Sequence, residues 1–417
     1  MPDNADAQVI VVGAGPAGAS TAWHLAQLGI DALMLDRARF PRDKVCAEYL
    51  SPQASRILTN MGAMPAIENA GAAHLSGMRV RAPNGSVLQG DFAARHGFKG
   101  FRDSGLAVRR TVLDAELVAR AQSAGARLME RVRVTDIERD GVGGDGSRVT
   151  GVVTLDEDGQ TRTLRAPLVI GADGLRSVIG RRLGLTRVGR FPRRVALVAH
   201  YRNVAGISAT GEMHVERDGY VGIADVGNGV TNVALVVPAR RVKQATNDRA
   251  AFLEEWLASK PQLAPRFADA ERIDTVRATG PFASSSRQAW SRGAALVGDA
   301  ADFFDPFTGE GVYSALRGGE LLAPFAAEAA VALTASAHDN ALRAYDAARR
   351  AEFGGKWLVE RIIGGTVAVP TFINHAARAL SRRKEMADLL IGVVGDFVPA
   401  GQVLRFGYIA RLLLFGV

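Results

Sequence analysis

The chain opens on a hydrophobic pattern that is typical of a β-strand, α-helix, β-strand unit. Four consecutive β-branched residues, Val9–Val12, end at a glycine and predict a buried parallel strand. Pro16–Leu28 is predicted to follow as a helix, and Ala32–Asp36 as a second strand. Two parallel strands need a crossover of this kind, because the chain must return to the same end of the sheet before it pairs again.

After this unit the pattern becomes β-rich in the middle of the chain and helical near its end. Met78–Arg81 and Val87–Gln89 predict a hairpin around an Asn-Gly turn. Val195–Val237 is mostly strand-like, and the chain from Tyr345 onward is helical and increasingly apolar. Other predicted elements are a loop at Phe40–Leu50, a helix opening at Ser51-Pro52, a glycine-rich hairpin tip at Gly141–Ser147, strands at Leu168–Ile170 and Ala295–Val297, and helices at Thr111–Gly125, Arg249–Ser259 and Gly311–Ala335.

This order predicts an α/β protein in which one domain is assembled from separated segments of the chain. A Rossmann-like nucleotide-binding domain is expected, with a mostly antiparallel β-sheet substrate domain inserted into it and a helical C-terminus. The predicted boundaries are 1–75, 106–185 and 284–350 for the nucleotide-binding domain, 76–105 and 186–283 for the substrate domain, and 351–417 for the helical region.

Composition narrows the class of protein. The 417 residues are 47% hydrophobic and 23% charged, as in an ordinary folded protein. Cys46 is the only cysteine, which excludes an internal disulfide and a cysteine-built metal site. The net charge of +8 either attracts anions or reflects compositional drift. The sequence has no basic patch interleaved with aromatic residues, so it does not indicate nucleic-acid binding. The polar, acidic start has no signal-peptide pattern, so a cytoplasmic location is expected.

The first candidate site is the glycine pattern Gly13-x-Gly15-x-x-Gly18 between the first strand and the first helix. Gly13 suits a tight turn, Gly15 lets the backbone approach a pyrophosphate, and Gly18 lets the helix pack closely on the strand. The helix N-terminus presents N–H groups to the phosphates. Asp36, at the end of the second strand, suits ribose hydroxyls and repels a 2′-phosphate, so FAD or NAD fits better than NADP.

Two later motifs repeat this strand-to-helix chemistry. LVIGADGLRS brings Asp173 to the end of a buried strand, where it can order the loop or a water molecule beside the pyrophosphate. GDAADFFDPFTGEGV brings Asp299 to a strand end, where a carboxylate can accept hydrogen bonds from a polyol chain. The long helix that opens at Gly311 directs its N-terminus at a ring and stabilises negative charge there. Reduced FAD carries such a charge and NAD has no polyol, so this motif favours FAD.

The order of these motifs resembles the para-hydroxybenzoate hydroxylase type of FAD flavoprotein, over roughly residues 8–330. That superfamily includes aromatic monooxygenases, geranylgeranyl reductases and flavin-dependent halogenases. FPRDKVCAEYLSP (Phe40–Pro52) and DPFTGEGV are most similar to the geranylgeranyl reductase-like branch. The resemblance implies an FAD-dependent oxidoreductase with FAD as a resident, noncovalent cofactor, and NAD(P)H as a transient electron donor.

The resemblance also implies roles for individual residues. For the pyrophosphate, the ribose and the adenine, it implies Gly13, Gly15, Ala17, Gly18, Asp36, Arg37, Val134 and Asp173. For the ribityl chain and the flavin pyrimidine edge, it implies Gly298, Asp299, Pro306, Gly309, Gly311 and Val312, and Arg109 is expected to reach the phosphates or the ribityl chain. Cys46 and Glu310 are expected flavin neighbours. No catalytic acid or base is identified, and no metal site is expected.

This chain departs from its relatives at two places. Reductases and halogenases carry a tryptophan-and-proline motif after a Gly-Tyr on the substrate sheet, where this chain has Gly222 and no proline. The double tryptophan of halogenases is absent, so halogenation is not expected. Reductases have glycines after the loop cysteine, where this chain has Ala47-Glu48-Tyr49. Further candidate pocket groups are Glu48, Tyr49, His200 and His214.

These features leave three functions open. The leading expectation is hydroxylation of a hydrophobic, aromatic or polyketide-like small molecule. The first alternative is reduction of double bonds in an isoprenoid chain, and the second is a flavin-binding scaffold without turnover. The C-terminal VLRFGYIARLLLFGV is too short to span a bilayer. It either docks on the protein or lies at a membrane interface with Arg405 and Arg411 reaching the headgroups.

Overall fold

A computed structural model describes residues 5–94, 96–141, 147–189, 191, 193–244 and 248–414. The strands in this part of the chain are β1 Val9–Val12, β2 Ala32–Leu35, β3 Tyr49–Leu50, β4 Ala73–Leu75, β5 Gly77–Arg81, β6 Val87–Asp91, β7 Gly105–Ala107, β8 Arg127–Met129, β9 Arg133–Arg139, β10 Val149–Leu155, β11 Thr161–Arg165, β12 Leu168–Gly171, β13 Thr186–Val188, β14 Arg194–Arg202, β15 Gly211–Glu216, β16 Gly219–Asp225, β17 Thr231–Pro238, β18 Glu271–Arg272, β19 Arg277–Thr279, β20 Ser284–Ser286, β21 Trp290–Ser291 and β22 Ala294–Leu296. The α-helices are α1 Pro16–Gln27, α2 Ala54–Asn60, α3 Met64–Asn69, α4 Arg110–Ser123, α5 Val178–Arg182, α6 Ala239–Gln244, α7 Arg249–Ala258, α8 Gly311–Val331, α9 Ala335–Ala368, α10 Pro370–Ser381, α11 Lys384–Val394, α12 Gly401–Leu404 and α13 Phe406–Leu414.

A six-stranded sheet forms the nucleotide-binding half of the fold. Its order is β21-β22-β12-β1-β2-β8, and every pairing is parallel except that of β21 with β22. The four residues of β1 are fully buried, as expected for a central strand with helices on both faces. Helices α1 and α8 pack closely at Gly319, which has no side chain; a Cβ there would lie only 2.7 Å from the Thr21 amide nitrogen. The sheet therefore presents its strand ends and the start of α1 at one edge.

A second sheet has the order β18-β14-β17-β16-β15-β5-β6, with β19 also paired to β14. Its pairings are antiparallel except that of β15 with β5. Alternate residues point to opposite faces. Leu197 and Ala199 pack with Leu253 of α7, whereas Ala196 and Val198 belong to the opposite face. That second face turns toward the nucleotide-binding half and forms one wall of a cavity.

The C-terminal helices close one side of the molecule. Helix α11 packs on β6 where Gly90 leaves room, since a Cβ there would lie 2.7 Å from the carbonyl oxygen of Ala387. Helix α13 docks on α10, with Tyr408 and Leu412 against the core and the Leu412 carbonyl 3.0 Å from His375 Nε2. Within the described ranges, no helix combines the length and the apolar character needed to cross a membrane.

Several sequence-based boundaries differ from the structure. The helix predicted over Gly311–Ala335 ends at Val331, and Thr334 then caps the start of α9 by accepting a hydrogen bond from the Ala337 amide. Helix α2 begins at Ala54 rather than at Ser51-Pro52, although the Ser51 hydroxyl oxygen does accept a hydrogen bond from the Ala54 amide. The loop predicted over Phe40–Leu50 ends in the short strand β3. Most of the predicted hairpin tip, residues 142–146, lies outside the described residues.

Candidate functional site

A deep cavity lies between the six-stranded sheet and the second face of the eight-stranded sheet. About 320 Å³ of it is accessible to the centre of a water molecule. Its walls come from the start of α1, the loop before β3, the strands β14 to β17, and the segment that leads from β22 into α8. Most charged groups gather toward α1 and α8, whereas the sheet wall is largely apolar, with Met78, Ala196, Val198, Met213, Ala234 and Val236.

The glycine fingerprint forms a cradle at the polar end of the cavity. Gly13 has a φ of +97°, and a Cβ there would lie 2.5 Å from the Ala172 carbonyl oxygen. A Cβ on Gly18 would lie 1.8 Å from the Gly13 carbonyl oxygen, so only glycine lets α1 pack against this turn. Gly15 instead faces the cavity, and its first-turn neighbours offer amide groups without intrahelical partners. The cradle therefore suits a pyrophosphate.

Asp36 fixes the loop that surrounds this cradle. Its carboxylate accepts hydrogen bonds of 2.9 Å from the amides of Ala14 and Ala38, and it is 7% exposed. The amide of Val132 bonds to the Asp36 carbonyl, which brings the start of β9 and Val134 alongside. Arg37 is exposed and contributes nothing to the cavity wall. The ribose and adenine roles of these residues stay predictions.

Arg110, rather than its neighbour Arg109, lines the cavity. Two hydrogen bonds of 2.8 Å join its guanidinium to buried Asp114, and Arg42 donates to the same carboxylate at 2.9 Å. Lys44 also lines the cavity, beside the Gly174 turn. Sequence reasoning missed this group, although Arg110 and Asp114 stand four residues apart on a helix, a spacing that pairs opposite charges.

Arg109 lies on the other side of the loop. Its guanidinium is 3.2 Å from Asp274 and 3.6 Å from Asp43, at the surface end of the eight-stranded sheet.

We expect Arg110→Met to weaken FAD affinity about 10-fold or more, since a charge-assisted contact to phosphate is lost. Asp114 keeps Arg42 as a partner in this variant. Arg109→Met is the matched control and should leave FAD affinity unchanged. Titration of each apoprotein with FAD, followed by flavin fluorescence, measures both, and equal losses would restore the role predicted for Arg109.

Two further carboxylates stand near the cradle. Asp299 lines the cavity after β22, and burial raises its pKa against the opposing effect of Lys44 and Arg110. Asp173 accepts a 2.6 Å hydrogen bond from the Val178 amide and so orders the turn into α5. Its other oxygen, Oδ1, is buried without a hydrogen-bond partner among the described residues, and burial raises the pKa. Asp299, unlike Asp173, lines the cavity and is therefore available to a ligand hydroxyl.

The DPFTGEGV segment forms the turn between β22 and α8. Asp305 caps it by accepting a hydrogen bond from the Phe307 amide, and it is bound to buried Arg194 at 2.6 Å. Gly309 has a φ of +72°, and a Cβ there would lie 2.8 Å from the Tyr49 ring. Pro306, Gly309, Glu310, Gly311 and Val312 all line the cavity. The start of α8 therefore faces the same cavity as the start of α1.

Glu310 belongs to a buried group of three carboxyls around one ammonium. Lys356 lies 3.3 Å from Glu310 and forms an ion pair with Asp396. Burial raises the pKa of Glu310 well above its ordinary value, raises that of Glu360, and raises that of Asp396 to about 6. A protonated carboxyl beside the start of α8 would not repel a negative charge held there.

The loop before β3 brings Cys46 and Glu48 into the wall of the cavity. Cys46 is partly buried, and its sulfur accepts a 3.3 Å hydrogen bond from the Glu48 amide. His200 does not line the cavity but contacts Glu48 at 2.7 Å. His214 contacts Glu212 at 2.7 Å and lies outside the cavity wall. Tyr49 lines the cavity next to Gly309.

The structure thus brings part of the predicted set together around one cavity. The predicted residues in its wall are Gly15, Ala17, Cys46, Glu48, Tyr49, Asp299, Pro306, Gly309, Glu310, Gly311 and Val312. Those outside the wall are Gly13, Gly18, Asp36, Arg37, Arg109, Val134, Asp173, His200, His214 and Gly298. Among the residues outside the wall, Gly13, Gly18 and Asp36 determine the backbone conformation of the cradle without lining the cavity.

Comparison with known proteins agrees with this architecture. A family model described as an FAD binding domain matches residues 6–355. The chain is 31% identical over 401 residues to digeranylgeranylglycerophospholipid reductase 2 of Methanopyrus kandleri, covering 94% of this chain and 93% of the relative. It is 27% identical over 412 residues to menaquinone reductase of Mycolicibacterium smegmatis, with 95% and 93% covered. A flavoprotein/dehydrogenase structure from Cytophaga hutchinsonii has a TM-score of 0.79 at 20% identity, with 97% and 96% covered.

The chain therefore belongs to the FAD-binding-domain family and is an FAD-dependent oxidoreductase of the para-hydroxybenzoate hydroxylase superfamily. The resemblance to the geranylgeranyl reductase-like branch and the predicted fold class are confirmed. The residues of the cavity fit FAD. Gly15 leaves space beside Arg42 and Arg110 for a pyrophosphate, and Asp299 faces the cavity for a ribityl chain.

Proposed function

We propose that this protein reduces carbon–carbon double bonds in the isoprenoid chain of a lipid, with FAD as the resident cofactor and NAD(P)H as the electron donor. The observation that carries the proposal is the apolar sheet wall, which adjoins the start of α8 inside the same cavity. An isoprenoid chain is hydrocarbon, so it needs contact with apolar side chains rather than hydrogen-bond partners. Met78, Val198 and Val236 provide such contacts.

The names of the relatives also support reduction. The two curated relatives described above match over nearly the whole chain and are named as reductases, one for a digeranylgeranylglycerophospholipid and one for menaquinone. Hydroxylation of an aromatic or polyketide-like molecule, the leading expectation from sequence, is retained as the second candidate because the superfamily includes monooxygenases. A scaffold without turnover is not proposed, because the family is one of oxidoreductases.

Bound FAD would supply the hydride for such a reduction. The protein's own residues do the rest. The cradle around Gly15 and the cation of Arg110 hold the pyrophosphate end, and Asp299 orients the polyol chain. The apolar sheet wall holds the substrate and excludes water, which keeps the reaction in a low-dielectric space. The start of α8 stabilises negative charge that develops opposite it.

The proposal is tested by product analysis. The purified holoenzyme is incubated with NADH or NADPH and a digeranylgeranyl glycerolipid in detergent, once in air and once without oxygen. Reduction predicts product with two added hydrogen atoms per saturated bond in both conditions. Product that gains an oxygen atom, and forms only in air, would instead establish the second candidate. Menaquinone is run in parallel to separate the two classes of prenylated lipid.

We also propose that the C-terminal helices dock on an anionic membrane surface. On α13, Tyr408 and Leu412 face α10, whereas Phe406 and Leu413 are 87% and 63% exposed. Exposed Arg411 is on the same helix and exposed Arg405 directly precedes it, which suits anionic headgroups. On α9, exposed Leu358 and Ile362 stand beside Trp357 and Arg361 of the cavity wall. A lipid substrate would therefore enter near the membrane.

Replacing the exposed apolar side chains of α13 should release the protein from membranes. In the triple variant Phe406→Ser, Ile409→Ser, Leu413→Ser, the fraction that sediments with vesicles of phosphatidylglycerol and phosphatidylcholine should fall about 10-fold or more. Leu333→Ser is the matched control, because Leu333 is fully exposed but lies between α8 and α9. Unchanged sedimentation of the triple variant would contradict membrane docking through α13.

A further inference from the structure

A continuous chain of side chains joins the cavity to the protein surface. His200 Nε2 lies 2.7 Å from Glu48 Oε2, and His200 Nδ1 lies 2.6 Å from Asp274 Oδ2. Glu48 is 1% exposed and lines the cavity, His200 is 4% exposed, and the Asp274 side chain is 22% exposed. Each step is a short hydrogen bond, so a proton can pass from Asp274 to Glu48 without entering the substrate space.

Glu48 is held in an unusual backbone conformation. Its φ is +60°, a region that favours glycine and is uncommon for other residues. The carboxylate is nevertheless fixed, because Oε1 accepts a 2.8 Å hydrogen bond from the Arg110 amide and Oε2 accepts one of 3.1 Å from Asn232. A buried glutamate at a position that suits glycine, in a loop that lines the cavity, indicates a role beyond packing.

Charged groups around the chain favour a protonated imidazole at its centre. Burial alone would lower the pKa of His200, but its hydrogen bonds with Asp274 and Glu48 outweigh this effect and raise the pKa to about 9. The pKa of Asp274 is lowered, since the bonds from His200 and the charge of Arg109 outweigh its burial. The other charged groups that face this end are Asp43, which pairs with Arg109 and Arg277, and Arg272, which donates to the Asp274 carbonyl.

We propose that Glu48 is the proton donor to the substrate, and that His200 and Asp274 resupply it from solvent. This inference rests on the proposed reduction. Saturating one carbon–carbon double bond requires a hydride at one carbon and a proton at the other. FAD reduced by NAD(P)H would supply the hydride, and Glu48 would deliver to the other carbon a proton that it takes from Nε2 of the His200 imidazolium. After this transfer Glu48 is a carboxylate again and His200 is neutral, and solvent at the Asp274 end of the chain returns a proton to the imidazole.

The test separates the two half-reactions of the holoenzyme. Glu48→Gln keeps the size and the hydrogen-bond acceptor of the side chain but cannot donate an acid proton. Reduction of its FAD by NAD(P)H should proceed at the wild-type rate, whereas anaerobic reoxidation by a digeranylgeranyl glycerolipid should slow about 100-fold or more. His200→Gln should slow the same step. His214→Gln, which removes a buried histidine of β15 that lies outside the cavity wall, should not.

A pH profile and a spectroscopic measurement distinguish proton supply from a merely structural role. His200 loses its proton as the pH rises through about 9, so the wild-type reoxidation rate should fall above that pH and the Glu48→Gln rate should not. Nitrogen-15 NMR of labelled histidines, seven in the chain, should show one imidazole that titrates near pH 9, is absent in His200→Gln, and titrates lower in Glu48→Gln.

The outcomes are distinguishable. If wild-type reduced enzyme is not reoxidised by the prenylated lipid, the proposed reduction fails and the donor role fails with it. If wild type is reoxidised and Glu48→Gln is reoxidised equally fast at every pH, the reduction stands and the donor role of Glu48 is overturned. A His200 imidazole that titrates at its ordinary pKa, unaffected by Glu48→Gln, would overturn the proton chain.

Discussion

Gly15→Val is expected to give a folded protein that has lost FAD. A Cβ on Gly15 would meet only flexible side-chain ends, with Arg42 Nη2 at 3.3 Å and Arg110 Nη2 at 4.0 Å, and the φ of −74° suits any residue. The added side chain would fill the space in which a pyrophosphate approaches the first turn of α1. We therefore expect FAD affinity to fall at least about 100-fold, because several hydrogen bonds to charged phosphate are lost together.

Gly18→Val provides the contrast for this prediction. A Cβ there would lie 1.8 Å from the Gly13 carbonyl oxygen, so α1 must move away from the turn and the free energy of unfolding should fall. The measurement is the ratio of bound flavin to protein after purification, together with the melting temperature of the apoprotein. Gly15→Val with full flavin would contradict the position assigned to the pyrophosphate, whatever Gly18→Val does.

Arg194→Met should strongly destabilise the protein. Arg194 and Asp305 form a 2.6 Å ion pair whose side chains are 7% and 3% exposed, and the Tyr220 hydroxyl donates to the same carboxylate at 2.6 Å. Removing the guanidinium leaves a buried carboxylate without its cation at the start of the DPFTGEGV turn. Breaking one side of a buried pair costs about 3–5 kcal/mol, and we expect a loss of that size in the free energy of unfolding.

Two further variants test the cause of that loss. Arg194→Met with Asp305→Asn should recover part of the stability, because the uncompensated charge is removed with its partner. Arg241→Met, which breaks a partly exposed pair with Asp218, should cost less than about 1 kcal/mol. Urea denaturation of the FAD-loaded proteins measures all three. A loss for Arg194→Met no larger than that for Arg241→Met would show that the buried pair does not hold the turn to the sheet.

The parts of the site that depend on local geometry could be predicted from the sequence. A tight turn at Gly13, close helix packing at Gly18 and a carboxylate after β2 are set by residues close together in the chain. The sequence could not distinguish Arg109 from Arg110 as the residue that lines the cavity, because adjacent residues at a helix start point in directions about 100° apart. The start of α4 at Arg110 decides it, and a shift of one residue at a helix end is within the usual uncertainty of sequence reasoning.

The long-range parts of the site could not be predicted. Glu48, His200 and Asp274 come from three distant segments, and no spacing between them signals contact. The face of the substrate sheet depends on register: Val198 faces the cavity and Leu197 faces α7, and a slip of one residue would exchange them. The sequence does not distinguish docking of the C-terminal segment on the protein from docking on a membrane. Helix α13 docks on α10 and still keeps apolar side chains exposed, so its two faces differ.

The central claim is that FAD in this cavity reduces a prenylated lipid. The most direct test is to reduce the bound FAD without oxygen, mix it with a digeranylgeranyl glycerolipid in a stopped-flow instrument, and record the flavin absorbance. The oxidised spectrum should return at a rate that rises with lipid concentration, while no oxygen is present. A flavin that stays reduced until oxygen is admitted, and is then reoxidised by oxygen at a rate set by the lipid, would contradict reduction and favour hydroxylation.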